Sequence, residues 1–240
     1  YFNGELFDDT HDDLKFLNRL TGFYFTLDNF SRFFSNPDSM KVFFRSLYIA
    51  FVSTVLCLLL GFPTAYVLSK MKERWRNFVS VMFLLPMWMN FLLRTYAWLS
   101  LLEDTGLINR FLALLGFEPI KMINTEGAVV LGMVYNYLPF MIMPLYSVMT
   151  KIEDRTIEAA QDLGAGSIRV VTKVVLPLST PGIASGITVV FVPAVSTFII
   201  SRMLGGGTNM LIGDLIDLQF LGNAYNPNLG AAMSIVLMVF

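Results

Sequence analysis

Residues 158–177 read EAAQDLGAGSIRVVTKVVLP, a polar, charged stretch lodged between long apolar runs. Its spacing is Glu158-Ala159-Ala160, three residues, Gly164, nine residues, Val174, one residue, then Leu176-Pro177. Ile152 to Leu163 is rich in helix formers, with Asp154 or Thr156 as N-cap candidates. Gly164 falls where a helix C-terminus calls for φ > 0, which glycine adopts without steric cost. Ser167 is placed to cap a second helix, Ile168 to Leu176, with Ile168, Val171 and Val175 on one face. Pro177, which lacks the N–H a helix needs, is expected to stop it. The prediction is two short helices meeting at a glycine, a knob whose alanine pair allows close approach by a partner.

The surrounding chain is built for a membrane. Hydrophobic residues make up 55% and charged residues 15%, with mean hydropathy +0.62, whereas soluble domains are near a quarter charged. A formal net charge of −1 gives no footprint for nucleic acid. Cys57 is the single cysteine, so no disulfide forms within the chain, and His11 is the single histidine, without metal-ligand spacing around it.

Hydropathy divides the chain into an N-terminal segment 1–41 and a membrane domain 42–240, with spans at about 42–69, 78–102, 127–149, 182–203 and 229–240. The last supplies only about half of the ~20 apolar residues a crossing needs, so it is expected to be a span cut short. Gly61-Phe62-Pro63 is expected to kink the first span. In the N-terminal segment, Asn36-Pro37-Asp38-Ser39 reads as a turn. The aromatics Phe23, Tyr24, Phe25, Phe30, Phe33 and Phe34 suggest a segment lying on the membrane surface or against helix ends.

Orientation follows from basic residues. Lys70, Lys72, Arg74 and Arg76 sit in one short loop, and Lys151, Arg155, Arg169 and Lys173 in loop 150–181. An even number of spans separates the two, so the positive-inside bias puts both in the cytosol. Segments 1–41, 103–126 and 204–228 are then outside, and each is net acidic.

Polar residues within spans mark candidates for a transport path. Trp88, Asn90 and Arg94 interrupt the second span, Tyr135 and Asn136 the third, and Ser196 the fourth. An intramembrane ionisable group usually faces a bundle interior or watery path. Arg94 can instead snorkel to the interface among its tryptophans. Both placements stand at this level. Aromatic faces in such positions also attract organic cations.

The residues quoted from Glu158 to Pro177 resemble the cytosolic coupling loop of bacterial ABC-importer permeases, with Val174 in the usual isoleucine place. The likeness extends to Gly61-Phe62-Pro63, to Leu85–Tyr96 (LPMWMNFLLRTY), to Tyr137–Ser147 (YLPFMIMPLYS) and to Leu211-Ile212-Gly213. Over almost the whole chain it is similar to the B-type permease family of spermidine/putrescine importers.

The resemblance implies an all-α integral membrane protein, a type I ABC-importer helix bundle. About six spans are usual in the family; here four are complete, one is truncated, and one would precede Tyr1. It implies a multi-pass subunit of a bacterial inner membrane. Its partners would be separate ATPase subunits, a second homologous permease, an extracytoplasmic polyamine-binding protein and lipid. Glu158, Ala159, Ala160 and Gly164 would contact the ATPase. Arg202 stands where the family often has an acid. No Walker A pattern occurs in the sequence, so no catalysis and no cofactor are expected in this chain, ATP and Mg²⁺ belonging to the ATPase.

Two further function classes are weighed. The same machine for another small solute is separated by the field of the outer vestibule, where acidic loops favour a cation. An ion-coupled secondary transporter usually carries carboxylates within its spans, and the spans here have none.

Overall fold

The computed structural model describes residues 28–207, 209–222 and 225–239, and every regular element in them is helical. Phe23, Tyr24 and Phe25 lie outside the described residues. α1 (Asp28–Ser35) is short and buries Phe33, whose ring meets Phe43 edge-on at 6.1 Å. α2 (Pro37–Lys70) is 34 residues long. The expected turn at 36–39 is instead the start of α2. Asn36 Oδ1 accepts from the Asp38 N–H at 3.0 Å, and Pro37 supplies the preset φ of a first helical residue. Pro63 lies inside this helix.

α2 packs most extensively on α6 (Glu126–Met149), and α10 (Thr180–Ser196) packs on both. These three form the core. Met141, fully buried, fills the space between two glycines on neighbouring helices. A Cβ at Gly61 would lie 2.9 Å from Met141 Cγ, and one at Gly186 2.6 Å from its Sδ. Small residues permit such close approach, which drives helix association where lipid removes the hydrophobic advantage.

The second span predicted from hydropathy is not one helix. It is α3 (Glu73–Trp88) followed by α4 (Phe91–Leu102), and the axis of residues 91–114 turns 91° from that of α3. Pro86 lies in the last turn of α3, and Asn90 caps α4, its side chain accepting from the Leu92 N–H at 2.8 Å. α3 has 16 residues, a rise of about 24 Å against a hydrocarbon thickness of ~30 Å. α5 (Leu107–Leu114) follows in the loop predicted to be outside.

The predicted fourth span is divided as well. α10 ends at Ser196, Thr197 takes an extended conformation, and α11 (Ile199–Leu204) follows. Gly213 approaches this break so closely that a Cβ there would lie 2.5 Å from the Ser196 carbonyl oxygen. Broken backbone at membrane depth is tolerated where protein covers it. α12 (Ile212–Leu221) and α13 (Pro227–Val239) complete the described chain.

Ion pairs define the two ends of the bundle. At one end Arg45 donates to Glu126 Oε1 at 2.6 Å and also bonds Asn209. At the other, Lys70 at the end of α2 pairs with Asp154, the first residue of the helix Asp154–Asp162.

Candidate functional site: the coupling knob and the polar residues of the bundle

The knob is α7 (Asp154–Asp162), a glycine turn, and α8 (Ser167–Val170). Gly164 has φ +80°. Its N–H donates to the Gln161 carbonyl at 2.8 Å, and the Ala165 N–H reaches back to the Ala160 carbonyl at 3.1 Å. This pair of bonds is a Schellman closure, satisfying the last carbonyls of α7. Only Ile157 of α7 is buried. Glu158 and Ala159 are exposed and Ala160 is half-buried. Leu163 and Ile168 present apolar side chains that are 90% and 82% exposed.

Four local expectations need correction. The N-cap of α7 is Glu153, and neither Asp154 nor Thr156 caps it. Ser167 is the first residue of α8, behind Gly166, and makes no cap bond. The second helix does not run through to Leu176: it widens into a π-helix at Val171–Val175. Ile168 therefore does not share a face with buried Val175. Pro177 does not end the segment; the helix runs on through it as α9 (Leu176–Leu178). The direction changes by 68° after Ser179.

The six candidates for the path do not converge on one site. Trp88, at the end of α3, is 85% exposed. Asn90 is exposed and committed to its cap. Tyr135 of α6 meets Trp98 of α4 edge-on, ring centres 5.3 Å apart. Asn136 is 1% exposed; its Nδ2 donates to the Gly132 carbonyl at 2.8 Å while its Oδ1 has no partner among the described residues. Ser196 is exposed and lines a separate apolar groove with Leu47, Phe191 and Ser234. Arg94 is 8% exposed, with Nε and Nη1 enclosed and unbonded among the described residues and its guanidinium 5.9 Å from the Phe91 ring centre. That is the bundle-facing placement of the two weighed from sequence.

A second polar cluster lies toward the opposite end from the knob. Arg202 Nη2 donates to Asp217 Oδ2 at 2.5 Å, and its Nε lies 3.8 Å from Asp214 Oδ1. Arg202 also stacks 5.6 Å from the Phe198 ring centre. Asp214 is 4% exposed; its Oδ2 accepts from the Ser201 hydroxyl at 2.6 Å and from the Leu211 N–H at 2.9 Å. Burial raises the Asp214 carboxyl above its ordinary range, opposed by these two donors and by Arg202. Arg202, Asp214 and Asp217 line a cavity of about 350 Å³ with Gly207, Met210 and Leu218. The sequence held one usable sign of this cluster: Asp214 and Asp217 are three apart on a helix, hence on one face.

Comparison with known proteins follows the same line. Residues 37–240 match the family described as "Binding-protein-dependent transport system inner membrane component". The spermidine/putrescine transport system permease protein PotB of Salmonella typhimurium (strain SL1344) is 40% identical over 96% of this chain and 79% of its own length. PotB of Escherichia coli (strain K12) is 39% identical over 96% of this chain and 82% of its own length. Among solved structures, a bacterial alginate ABC transporter in complex with an alginate pentasaccharide-bound periplasmic protein matches with TM-score 0.74. That match covers 94% of this chain and 84% of that one at 16% identity, which speaks to fold alone. The all-helical bundle, the family match and the long relatives agree: this chain belongs to the binding-protein-dependent transport system inner-membrane components, the permease subunits of ABC importers.

Proposed function

We propose that the chain is the channel-forming permease of an ATP-driven importer of polyamines such as spermidine and putrescine. The observation that carries the importer reading is the knob from Asp154 to Val170, closed at Gly164. It stands at the bundle end where α2 closes at Lys70 and α3 begins with Arg74 and Arg76. In this reading Glu158, Ala159, Ala160 and the exposed Leu163 and Ile168 meet a separate ATPase subunit, which holds ATP and Mg²⁺. A second homologous permease completes the channel, and an extracytoplasmic binding protein delivers cargo to the other end. Closure of the ATPase pair pulls on the knobs, and rigid motion of the bundle exchanges access between the two sides.

The cargo follows from the relatives, which are named for spermidine and putrescine. The cavity at Asp214 and Asp217 accords with a cation, since its two carboxylates outnumber the one guanidinium. Arg94, Tyr135, Asn136, Trp88, Asn90 and Ser196 are path candidates of this machine, with the Trp98–Tyr135 pair the nearest to an aromatic wall for an amine.

The test is uptake of labelled spermidine and putrescine by proteoliposomes holding the full importer. Binding-protein-dependent uptake is expected, with stoichiometric ATPase on the purified permease. ATPase without polyamine uptake would leave the machine and refute the cargo. Glu158→Arg is expected to lose bound ATPase, because like charges juxtaposed at an interface cost several kcal/mol. Full ATPase binding and uptake in that variant would refute the coupling assignment.

A further inference from the structure

We propose that the π-helical turn Val171–Val175 is the hinge through which the knob moves against the membrane bundle; the proposal rests on the coupling role given to the knob above.

The turn is defined by its hydrogen bonds. The Leu176 N–H donates to the Val171 carbonyl, five residues back. On either side the bonds return to α spacing: Val170 N–H to the Gly166 carbonyl at 3.0 Å, and Ser179 N–H to the Val175 carbonyl at 2.9 Å. One extra residue is therefore held inside an otherwise α-helical path. Burial agrees with the bonds. Val170 and Val175 are each 1% exposed, while Ile168 is 82% exposed. In an α-helix, residues five apart lie about 140° from each other around the axis. The wider π turn brings them to one side, so both valines reach the bundle. Thr172 completes the arrangement. Its hydroxyl donates to the Ile168 carbonyl at 2.9 Å, with the Arg169 carbonyl at 3.4 Å.

The place of the turn gives it a use. Beyond it, α10 is clamped to α6: a Cβ at Gly182 would lie 3.0 Å from the Pro144 carbonyl oxygen. Before it, α7 is tied to α2 through Lys70 and Asp154. Between these attachments the chain offers a π turn, Pro177 without an N–H, and the buried Ser179 hydroxyl, which has no partner among the described residues. Poorly bonded helical turns of this kind are where helices bend and where π-bulges serve function. A push on the knob is thus taken up between Val170 and Ser179.

The extra residue makes a sharp test possible. Deleting Thr172 lets the segment close into a regular α-helix while both flanks keep their angular phase, so insertion and ATPase docking persist. The experiment uses the complete importer in proteoliposomes. The deletion variant is expected to bind ATPase within about twofold of wild type and to lose uptake by at least about tenfold, its ATP hydrolysis no longer answering to loaded binding protein. Thr172→Ala keeps the residue count and is expected to retain most uptake. Uptake at the wild-type level in the deletion variant would overturn the hinge. So would failure to insert or to bind ATPase, because the flanks would then not have kept their phase. If Glu158→Arg alone keeps ATPase and uptake, the coupling reading fails instead. Geometry is checked independently by single cysteines at positions 168–176 in a Cys57→Ser background, labelled in permease stripped of ATPase. Positions 168, 172 and 173 are expected to label and 170 and 175 to be protected. Protection at 168, 171 and 175, the period of an uninterrupted α-helix, would refute the turn itself.

Discussion

Gly164 should tolerate replacement in the order Asn, Ala, Val, and ATPase docking should follow that order. Its φ of +80° is left-handed backbone. There an ordinary L residue costs roughly 1–2 kcal/mol and a β-branched one more, while asparagine is the non-glycine residue best suited to it. No described atom lies within 4 Å of a Cβ built at Gly164, so the penalty comes from the backbone alone and no repacking relieves it. The closure it strains consists of two hydrogen bonds, Gly164 to Gln161 and Ala165 to Ala160, each worth a net of about 0.5–1.5 kcal/mol. Penalty and restraint are the same size, so the Ala variant should populate the closed knob only in part and the Val variant rarely. Apparent affinity falls in proportion to the competent fraction, and each 1.4 kcal/mol is about tenfold. Titration of purified ATPase onto permease in nanodiscs should give a weakening of roughly twofold for Ala, about sixfold at the upper end, more for Val, and little for Asn. The bundle should melt unchanged, since the knob is exposed. Equal ATPase affinity for Gly164→Val and wild type would refute the role given to the left-handed turn.

Other outcomes follow from the bundle. Arg94→Leu removes an enclosed guanidinium and should change uptake more than Arg94→Lys, which keeps the charge; wild-type transport in both would show that the residue serves neither path nor assembly. Gly186→Val should lower stability by about 1–3 kcal/mol through overpacking against Met141, and adding Met141→Ala should recover part of it in detergent melts. For Asp214, the folded carboxyl is raised by burial. Its titration therefore favours the fold below the ordinary aspartate range, and that contribution is lost as pH rises through the raised value. Wild type should gain stability relative to Asp214→Asn on acidification through that window; a pH-independent difference would contradict it.

The knob was legible in the amino-acid sequence because its determinants are local. A glycine after a run of helix formers needs only its own backbone freedom, and Glu158, Ala159 and Ala160 lie on one short helix. The long apolar helices α2 and α6 were legible for a similar reason: length and hydropathy set them, and no partner is required to form an α-helix in lipid. The broken spans were not. Pro86 and Asn90 looked like interruptions of one span, since hydropathy sums over a window and takes no account of a cap that lets the backbone turn by 91°.

Other features depended on groups far apart in the chain. Ser46 meets the Ile212 N–H, Arg202 meets Asp217, and Met141 sits between Gly61 and Gly186. None of these follows from periodicity. The π turn is the clearest case. The residues 167–178 favour a helix, and an α period would put Ile168 with Val175. Packing instead requires Val170 and Val175 on one side, and the helix widens by one residue to provide it. A membrane bundle with a glycine-closed knob could be read from the amino-acid order alone, because those are matters of local backbone and hydropathy. Which spans break, which polar groups meet, and the phase in which the knob is joined to the bundle were decided by tertiary contacts, whose energies depend on which helices lie side by side.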